Sequence, residues 1–226
     1  MGLRTLIILL IASLSGVLHV KGQNSQQWRD SLAVINKQIS QNPYSSDLYL
    51  RKAAVNIELQ QWEYAHKTYS DILTKEPNNL AALFYRAFVN GKMRRYDLAG
   101  SDYETFLTLA PTNIEARLGL AYTLQKRGKR LEALDQYNTI VEQHPDSAVA
   151  YASRACLEEE MVLLDAALFD WEKAIALNSS NNDYIISKAN LLLKMGKKQK
   201  ARECLDVLLD RGVARADIEE LLKACR

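Results

Sequence analysis

The sequence has few residues that could act in catalysis or bind a metal, and these residues are not clustered. The chain has three histidines, His19, His66 and His144, and none has a cysteine or another histidine at the spacing of metal ligands. The consecutive carboxylates of residues 158–160 are better explained by a solvated helix face than by acid–base catalysis. Nucleotide loops, nucleophile elbows, zinc-protease motifs and calcium loops are absent from the sequence. We therefore predict a protein that is not an enzyme and that needs neither metal nor cofactor.

The three cysteines are Cys156, Cys204 and Cys225. In an oxidising compartment an odd number leaves at least one thiol free or bonded to another chain. Cys204 and Cys225 lie on adjacent predicted helices, and they can pair if their Cα atoms come within about 7 Å. Burial as packing residues is the alternative, and we favour it for all three cysteines.

The N-terminal residues have the composition of an export signal. Arg4 precedes an apolar stretch from Leu6 to Val20, and residues 20–22 follow where a signal peptidase would cut. An uncleaved N-terminal anchor is the alternative, but a membrane span needs about 20 apolar residues and this stretch is shorter. We predict a signal peptide at 1–22 and a short linker at 23–27. The mature protein is then periplasmic or extracellular.

The charge of the chain argues against nucleic acid as a partner. The sequence has 29 basic and 27 acidic residues. Two of the basic residues, Arg4 and Lys21, lie in the predicted signal, so the mature chain has no net charge. Binding of phosphates depends on a basic face. We therefore expect no nucleic acid partner.

A repeat of 34 residues organises the rest of the chain. The four prolines, Pro43, Pro77, Pro111 and Pro145, are each 34 residues apart. Two alanine columns follow the same step: Ala53, Ala87, Ala121, Ala155 and Ala189, and Ala65, Ala99, Ala133, Ala167 and Ala201. Small side chains are needed where helix axes approach most closely. Each repeat is therefore predicted to be a pair of antiparallel helices that meet at the alanines.

The repeat resembles that of the tetratricopeptide-repeat family. In residues 114–147, the family's small, turn, aromatic and proline positions are matched by Ala121, Gly128, Ala133, Tyr137 and Pro145. The resemblance implies an all-α fold, a right-handed α–α superhelix forming one domain over residues 28–226. Its parts are a half repeat 28–45, five repeats 46–79, 80–113, 114–147, 148–181 and 182–215, and a capping helix 216–226.

The family's turn glycine is missing from three of the five repeats. Gln60, Arg94 and Val162 stand where Gly128 and Gly196 stand in the other two repeats. Because a turn that needs positive φ favours glycine, we expect the three turns without glycine to differ in conformation.

The resemblance also implies a face that binds a partner. In this family the first helices of the repeats line a concave groove. The matching residues are Leu50, Ala54, Phe84, Tyr85, Phe88, Leu118, Tyr122, Gln125 and Cys156. Because most of these side chains are apolar or aromatic, we predict a scaffold that binds an apolar or helical peptide of a partner protein. Coverage of the rings by neighbouring helices is the alternative explanation.

A basic edge suggests a second function. It consists of Lys92, Arg94, Arg95, Lys126, Arg127, Lys129, Arg130, Lys194, Lys197, Lys198 and Lys200. Such an edge would suit a peripheral envelope assembly factor that docks on anionic lipid or on an acidic protein. Cations at the ends of first helices are also favoured by the helix dipole, which explains them without a partner.

Two repeats contain matched opposite charges. Arg86 in a first helix accompanies Asp102 in the second, and Arg154 accompanies Asp170. We predict that each pair forms a partly buried, bidentate ion pair between the two helices of its repeat. Chance co-occurrence of two common residue types is the alternative.

Overall fold

The computed structural model describes the backbone from Lys21 to Arg226 and the side chains from Ser25 onward. The predicted signal peptide lies outside this part except for its last two residues. Residues 23–27, predicted to be a linker, belong to the first helix described. Within residues 21–226 the structure contains α-helices and one short 3-10 helix but no strand, which confirms the predicted all-α fold. None of these helices has both the length and the apolar character to cross a bilayer.

The described residues divide into two compact units, with the boundary between Arg94 and Arg95. The first unit contains α1 (Lys21–Gln41), α2 (Ser46–Glu58), α3 (Trp62–Lys75) and α4 (Leu80–Lys92). The second contains α5 (Tyr96–Leu109), α6 (Ile114–Lys126), α7 (Arg130–Gln143), α8 (Ala148–Glu160), α9 (Leu164–Leu177), α10 (Asn182–Lys194), α11 (Lys198–Asp210), a 3-10 turn (Arg215–Ile218) and α12 (Glu219–Ala224). Within each unit, consecutive α-helices pack against each other.

The helix boundaries follow the predicted repeat. Helices α2, α4, α6, α8 and α10 begin at the first residue of the five predicted repeats. Asn79, Asn113, Ser147 and Asn181 precede four of these helices, and each side chain accepts a hydrogen bond from a backbone N–H of the first turn. Pro77, Pro111 and Pro145 follow the ends of α3, α5 and α7 by two residues, where they prevent continuation of the helix.

The two alanine columns are the tightest part of the packing. All ten of these alanines have no exposed surface. One glycine serves the same purpose on α6, because a Cβ atom at Gly119 would occupy the position of the Tyr103 ring. Small residues thus allow α5, α6 and their successors in the second unit to approach closely.

The turns between paired helices share one conformation, so the expectation that three of them differ is wrong. Gln60, Arg94 and Val162 have φ values of 56°, 59° and 63°, in the same left-handed region as Gly128 and Gly196. The turns at Gln60, Gly128, Val162 and Gly196 also share one backbone hydrogen bond. In each of them the N–H of the residue after the left-handed position donates to the carbonyl oxygen five residues before that donor. Within each unit, packing of the helix pair therefore imposes the turn even where, as at Gln60 and Val162, the residue disfavours it.

The C-terminal segment covers the last helix pair of the second unit. Ile218 and Leu222 are buried against Ile185, Ala189, Leu205 and Leu208. The predicted capping helix is thus observed as a 3-10 turn followed by the six-residue α12.

Candidate partner-binding surface

In the first unit, the predicted groove residues fall into two groups. Leu50, Ala54, Phe84 and Phe88 are half-buried and keep part of their surface exposed. Tyr85 is buried instead, and its ring stacks on Tyr69 of α3 at a centroid distance of 6.0 Å. Tyr85 is therefore a core residue and offers little surface to a partner.

The Phe88 ring contacts two side chains of the same unit that the sequence pattern did not predict. The Trp62 ring meets the Phe88 ring edge-on at 6.5 Å, and Lys92 Nζ lies 5.1 Å from the Phe88 centroid. Phe84 contacts Tyr85 edge-on at 5.3 Å. Part of the predicted aromatic surface of this unit is thus already covered by residues of the same unit.

In the second unit, the predicted groove residues belong to a face that we call the α6–α8–α10 face. It is defined by Leu118, Tyr122, Gln125, Cys156, Glu159, Glu160 and Lys194. Tyr122 exposes 48% of its surface, and Cys156 is also exposed. Leu118 and Gln125 are half-buried. The exposure of Cys156 shows that the prediction of a packing role is wrong for this cysteine.

Side-chain bonds join the three first helices of this face. Gln125 Nε2 donates to Glu160 Oε1 at 2.8 Å, which links α6 to α8. Lys194 Nζ forms an ion pair with Glu159 Oε2 at 2.6 Å, which links α10 to α8. Both pairs are separated by 35 residues, one repeat plus one. That spacing is visible in the sequence and would have revealed Glu160 and Lys194 as further members of the face.

The carboxylates of this face influence the acidity of their neighbours. Burial raises the pKa of the Cys156 thiol, and the negative charges of Glu159 and Glu160 raise this pKa further. The buried Tyr137 of α7 also has a raised pKa, first because of burial and then because Cys156, Glu160 and Tyr122 lie near its hydroxyl. The raised pKa makes the Cys156 thiol a weaker nucleophile than an ordinary cysteine.

Lys126 and Trp171 complete the surroundings of the face. Lys126 Nζ lies 5.1 Å from the centroid of Tyr122, a distance typical of a cation–π contact. Trp171 of α9 donates its indole N–H to Glu159 Oε1 at 2.9 Å. Both carboxylate oxygens of Glu159 thus have a partner, Trp171 for one and Lys194 for the other. Glu159 therefore links the helices of this face, and its charge is compensated.

The predicted ion pair of Arg154 and Asp170 is confirmed. Arg154 Nε lies 2.6 Å from Asp170 Oδ2, and Arg154 Nη2 donates to Asp170 Oδ1 at 2.8 Å. Asp170 is buried, and Arg154 also donates to Asn138 Oδ1 on α7 at 2.9 Å. The sequence did not predict Asn138 as a second partner. The residue 16 positions before the arginine is a partner in the first unit too, where Arg86 Nη1 donates to Ser70 Oγ.

The second predicted pair joins residues that belong to different units. Arg86 lies on α4 of the first unit, and Asp102, which is buried, lies on α5 of the second. Their pairing stays a prediction.

Acidic partners occupy several cations of the basic edge. In the second unit Arg127 pairs with Asp97 at 2.7 Å, Lys129 with Glu132 at 2.8 Å and Lys197 with Asp165 at 3.7 Å. Lys194 is engaged by Glu159, as described above. Because these pairs neutralise part of the edge, its attraction for anionic lipid is weaker than the sequence alone implies.

Over the residues that the structure describes, no three histidine, cysteine or carboxylate side chains are arranged to hold a metal ion. What the described surface offers is contact area: an exposed ring, an exposed thiol and paired charges.

Comparison with known proteins supports the family resemblance at the level of sequence. The family model described as tetratricopeptide repeat matches residues 92–156. DnaJ homolog subfamily C member 3 of Mus musculus is 35% identical over 86 residues, which cover 38% of this chain and 17% of that protein. The chain thus spans less than a fifth of the length of this curated relative.

Solved structures support the same fold. A tetratricopeptide-repeat protein from Parabacteroides merdae superimposes with a TM-score of 0.68 at 22% identity, covering 90% of this chain and 79% of that one. YrrB, described as a TPR protein with an unusual peptide-binding site, superimposes with a TM-score of 0.60 at 20% identity, covering 78% of this chain and 91% of its own. The family model identifies residues 92–156 as tetratricopeptide repeats, and the 34-residue repeat and the fold of the described residues agree with that family.

Proposed function

We propose that the protein is a non-catalytic scaffold that binds a peptide segment of a partner protein on the α6–α8–α10 face. The observation that carries this proposal is the exposure of Tyr122, a large ring that lies one helical turn after Leu118 and one repeat before the exposed Cys156. A repeat that only had to pack on its neighbours would not need an aromatic residue at this position. The fold is that of a protein–protein interaction scaffold, and YrrB, another protein of the same fold, is described as having a peptide-binding site.

The charges of the face favour an apolar contact at its centre. Glu159 is neutralised by Lys194, and Glu160 accepts a hydrogen bond from Gln125. A peptide that covers Tyr122 therefore does not have to strip water from an isolated carboxylate, which would cost more than the contact contributes. Covering the exposed half of the tyrosine ring contributes about 1 kcal/mol. We infer that apolar side chains of the peptide lie on Leu118 and Tyr122.

Selection from a peptide-display library against the purified chain tests this proposal. Affinities of the selected peptides are then measured by fluorescence anisotropy for the wild type and for Tyr122→Ala. We expect Tyr122→Ala to weaken binding about fivefold, since 1 kcal/mol corresponds to that factor. Tyr64→Ala is the matched control, because Tyr64 on α3 is an exposed tyrosine outside the face.

Equal affinities of wild type and Tyr122→Ala, with unchanged helix content by circular dichroism, would contradict the proposal. Phe88→Ala reports separately on the first unit. Loss of binding in Phe88→Ala but not in Tyr122→Ala would move the site to α4.

We further propose that the scaffold acts outside the cytoplasm. The support is the composition of residues 1–22, with Arg4 followed by an apolar stretch. Intact-mass measurement of the protein isolated from its native host tests export. A mature chain that starts near residue 23 supports it, and a full-length chain in the cytosolic fraction contradicts it.

A further inference from the structure

Two cysteines pack against one apolar cluster at the C-terminal end of the second unit. Cys204 is on α11, and Cys225 follows α12 directly. Both are half-buried and pack against one apolar cluster, which consists of Ile185, Ala189, Leu205, Leu208, Ile218 and Leu222. Helices α11 and α12 contact each other. The two side chains thus belong to one apolar cluster although 21 positions separate them in the sequence.

The electrostatics of Cys204 also reflect the second thiol. Burial raises the pKa of Cys204, Lys188 opposes this shift, and carboxylates and the neighbouring Cys225 raise the pKa further. An influence of one thiol on the other requires that they lie near each other.

Cys204 is accessible to a small reagent. It lines a cleft of about 230 Å³ whose walls come from α9, α10 and α11 and include Leu168, Lys188 and Lys200. A low-molecular-weight disulfide can therefore approach Cys204 through this cleft. Cys156, in contrast, lies on α8 and does not pack against that cluster.

We propose that Cys204 and Cys225 are a disulfide-forming pair that fastens α12 to α11 in an oxidising environment. The oxidant is a low-molecular-weight disulfide such as glutathione disulfide. One protein thiolate attacks it, forming a mixed disulfide and releasing one glutathione thiol. The second protein thiolate then attacks the protein sulfur of the mixed disulfide and releases the other glutathione. Two protein thiols are thus oxidised to one S–S bond while one glutathione disulfide is reduced to two thiols.

The bond would secure an element that has little stability of its own. Helix α12 has six residues, far fewer than the number at which isolated helices become stable in water. Its attachment rests on apolar contacts of residues such as Ile218 and Leu222. A covalent link beside these contacts restricts the opening of α12 and keeps Leu205 and Leu208 covered.

Peptide mapping tests the pair directly. The full chain is incubated folded with glutathione disulfide, free thiols are alkylated, and the protein is digested with trypsin. We expect peptide 203–211 to be linked to the tripeptide 224–226, with Cys156 alkylated. Amide hydrogen exchange should show α12 protected at least about tenfold more strongly in the oxidised chain than in the reduced chain.

Two variants and one denatured sample make the result decisive. Cys156→Ser should leave the linked peptide unchanged, whereas Cys225→Ser should abolish it and leave the helix content intact. Oxidation in 6 M guanidinium should scramble the pairing among the three cysteines. Full alkylation of Cys204 and Cys225 after folded oxidation, or links that include Cys156, would overturn the proposal.

Discussion

At the scale of single residues, Arg154 joins three helices of the second unit through Asp170 on α9 and Asn138 on α7. Arg154→Leu would leave the Asp170 carboxylate buried without its cation. We expect a loss of about 3 kcal/mol in the free energy of unfolding, because breaking a buried pair leaves an uncompensated charge. Urea denaturation followed by circular dichroism measures this loss.

The chain itself supplies the control for this substitution. The repeat 114–147 has Leu120 and Gln136 where the next repeat has Arg154 and Asp170. The double variant Arg154→Leu/Asp170→Gln copies that arrangement, and we expect it to recover more than half of the stability lost in Arg154→Leu. A double variant less stable than the single one would show that the pair does not act as described.

Glu158 carries a second prediction at this scale, on the dependence of stability on pH. Burial raises the pKa of Glu158 from 4.5 to about 7; Asp170 raises it as well, and Arg154 opposes the shift. The raised pKa means that the contribution of protonated Glu158 to folding is fully present below pH 4.5 and is lost as the pH rises through 7. Its Oε2 atom is buried without a hydrogen-bond partner.

We expect Glu158→Gln to have nearly the stability of the wild type at pH 4.5 and to be more stable at pH 8. The gain at pH 8 is at most about 3 kcal/mol, the equivalent of the pKa shift. Urea midpoints at the two pH values measure it. Glu142→Gln removes a carboxylate from the exposed side of α7 and should show no such gain. A pH-independent difference between Glu158→Gln and wild type would be inconsistent with this explanation.

At the scale of elements, the turns between paired helices carry stored strain. Val162 is exposed and β-branched, yet its φ is 63°. Val162→Gly removes the steric cost of the left-handed conformation, and we expect it to stabilise the protein by about 1 kcal/mol. Thermal denaturation measures this gain, and Gly128→Val should destabilise by a similar amount. No change in either variant would show that the turns relax without cost.

The sequence predicted the helices well because the residues that their packing requires recur every 34 positions. Alanines such as Ala121 and Ala133 mark where helices cross, and Asn113 and Pro111 mark where one repeat ends and the next begins. The turn conformation at Val162 was not predictable from its residue type, because it is imposed by the helices on both sides. Sequence propensity therefore located the turn but gave the wrong expectation for its geometry.

The site was predicted less completely than the fold. A helix turns about 100° per residue, so Phe84, Tyr85 and Phe88 cannot all face one groove. The structure turns Tyr85 into the core against Tyr69, and it covers part of Phe88 with Trp62. Periodicity assigns a residue to a helix, but exposure depends on the side chains of other helices, which spacing along one helix does not report.

At the scale of the whole molecule, the described residues combine an invariant packing pattern with a variable surface. The ten alanine positions are the same in every repeat, whereas the position of Tyr122 is taken by Cys156 one repeat later. Constant positions hold the helix pairs together, and the variable position provides chemistry that differs from repeat to repeat. We therefore expect the residues at the variable positions to determine which partner binds.

Protection of Cys156 from alkylation tests the central claim, that the α6–α8–α10 face binds a peptide, most directly. The labelling rate of this exposed thiol is measured by mass spectrometry with and without a saturating display-selected peptide. We expect the bound peptide to slow labelling at least about fivefold, because more than four-fifths of the chains are occupied. We also expect that a chain already carrying a bulky maleimide at Cys156 no longer binds the peptide. An unchanged labelling rate while the peptide is bound would contradict the claim.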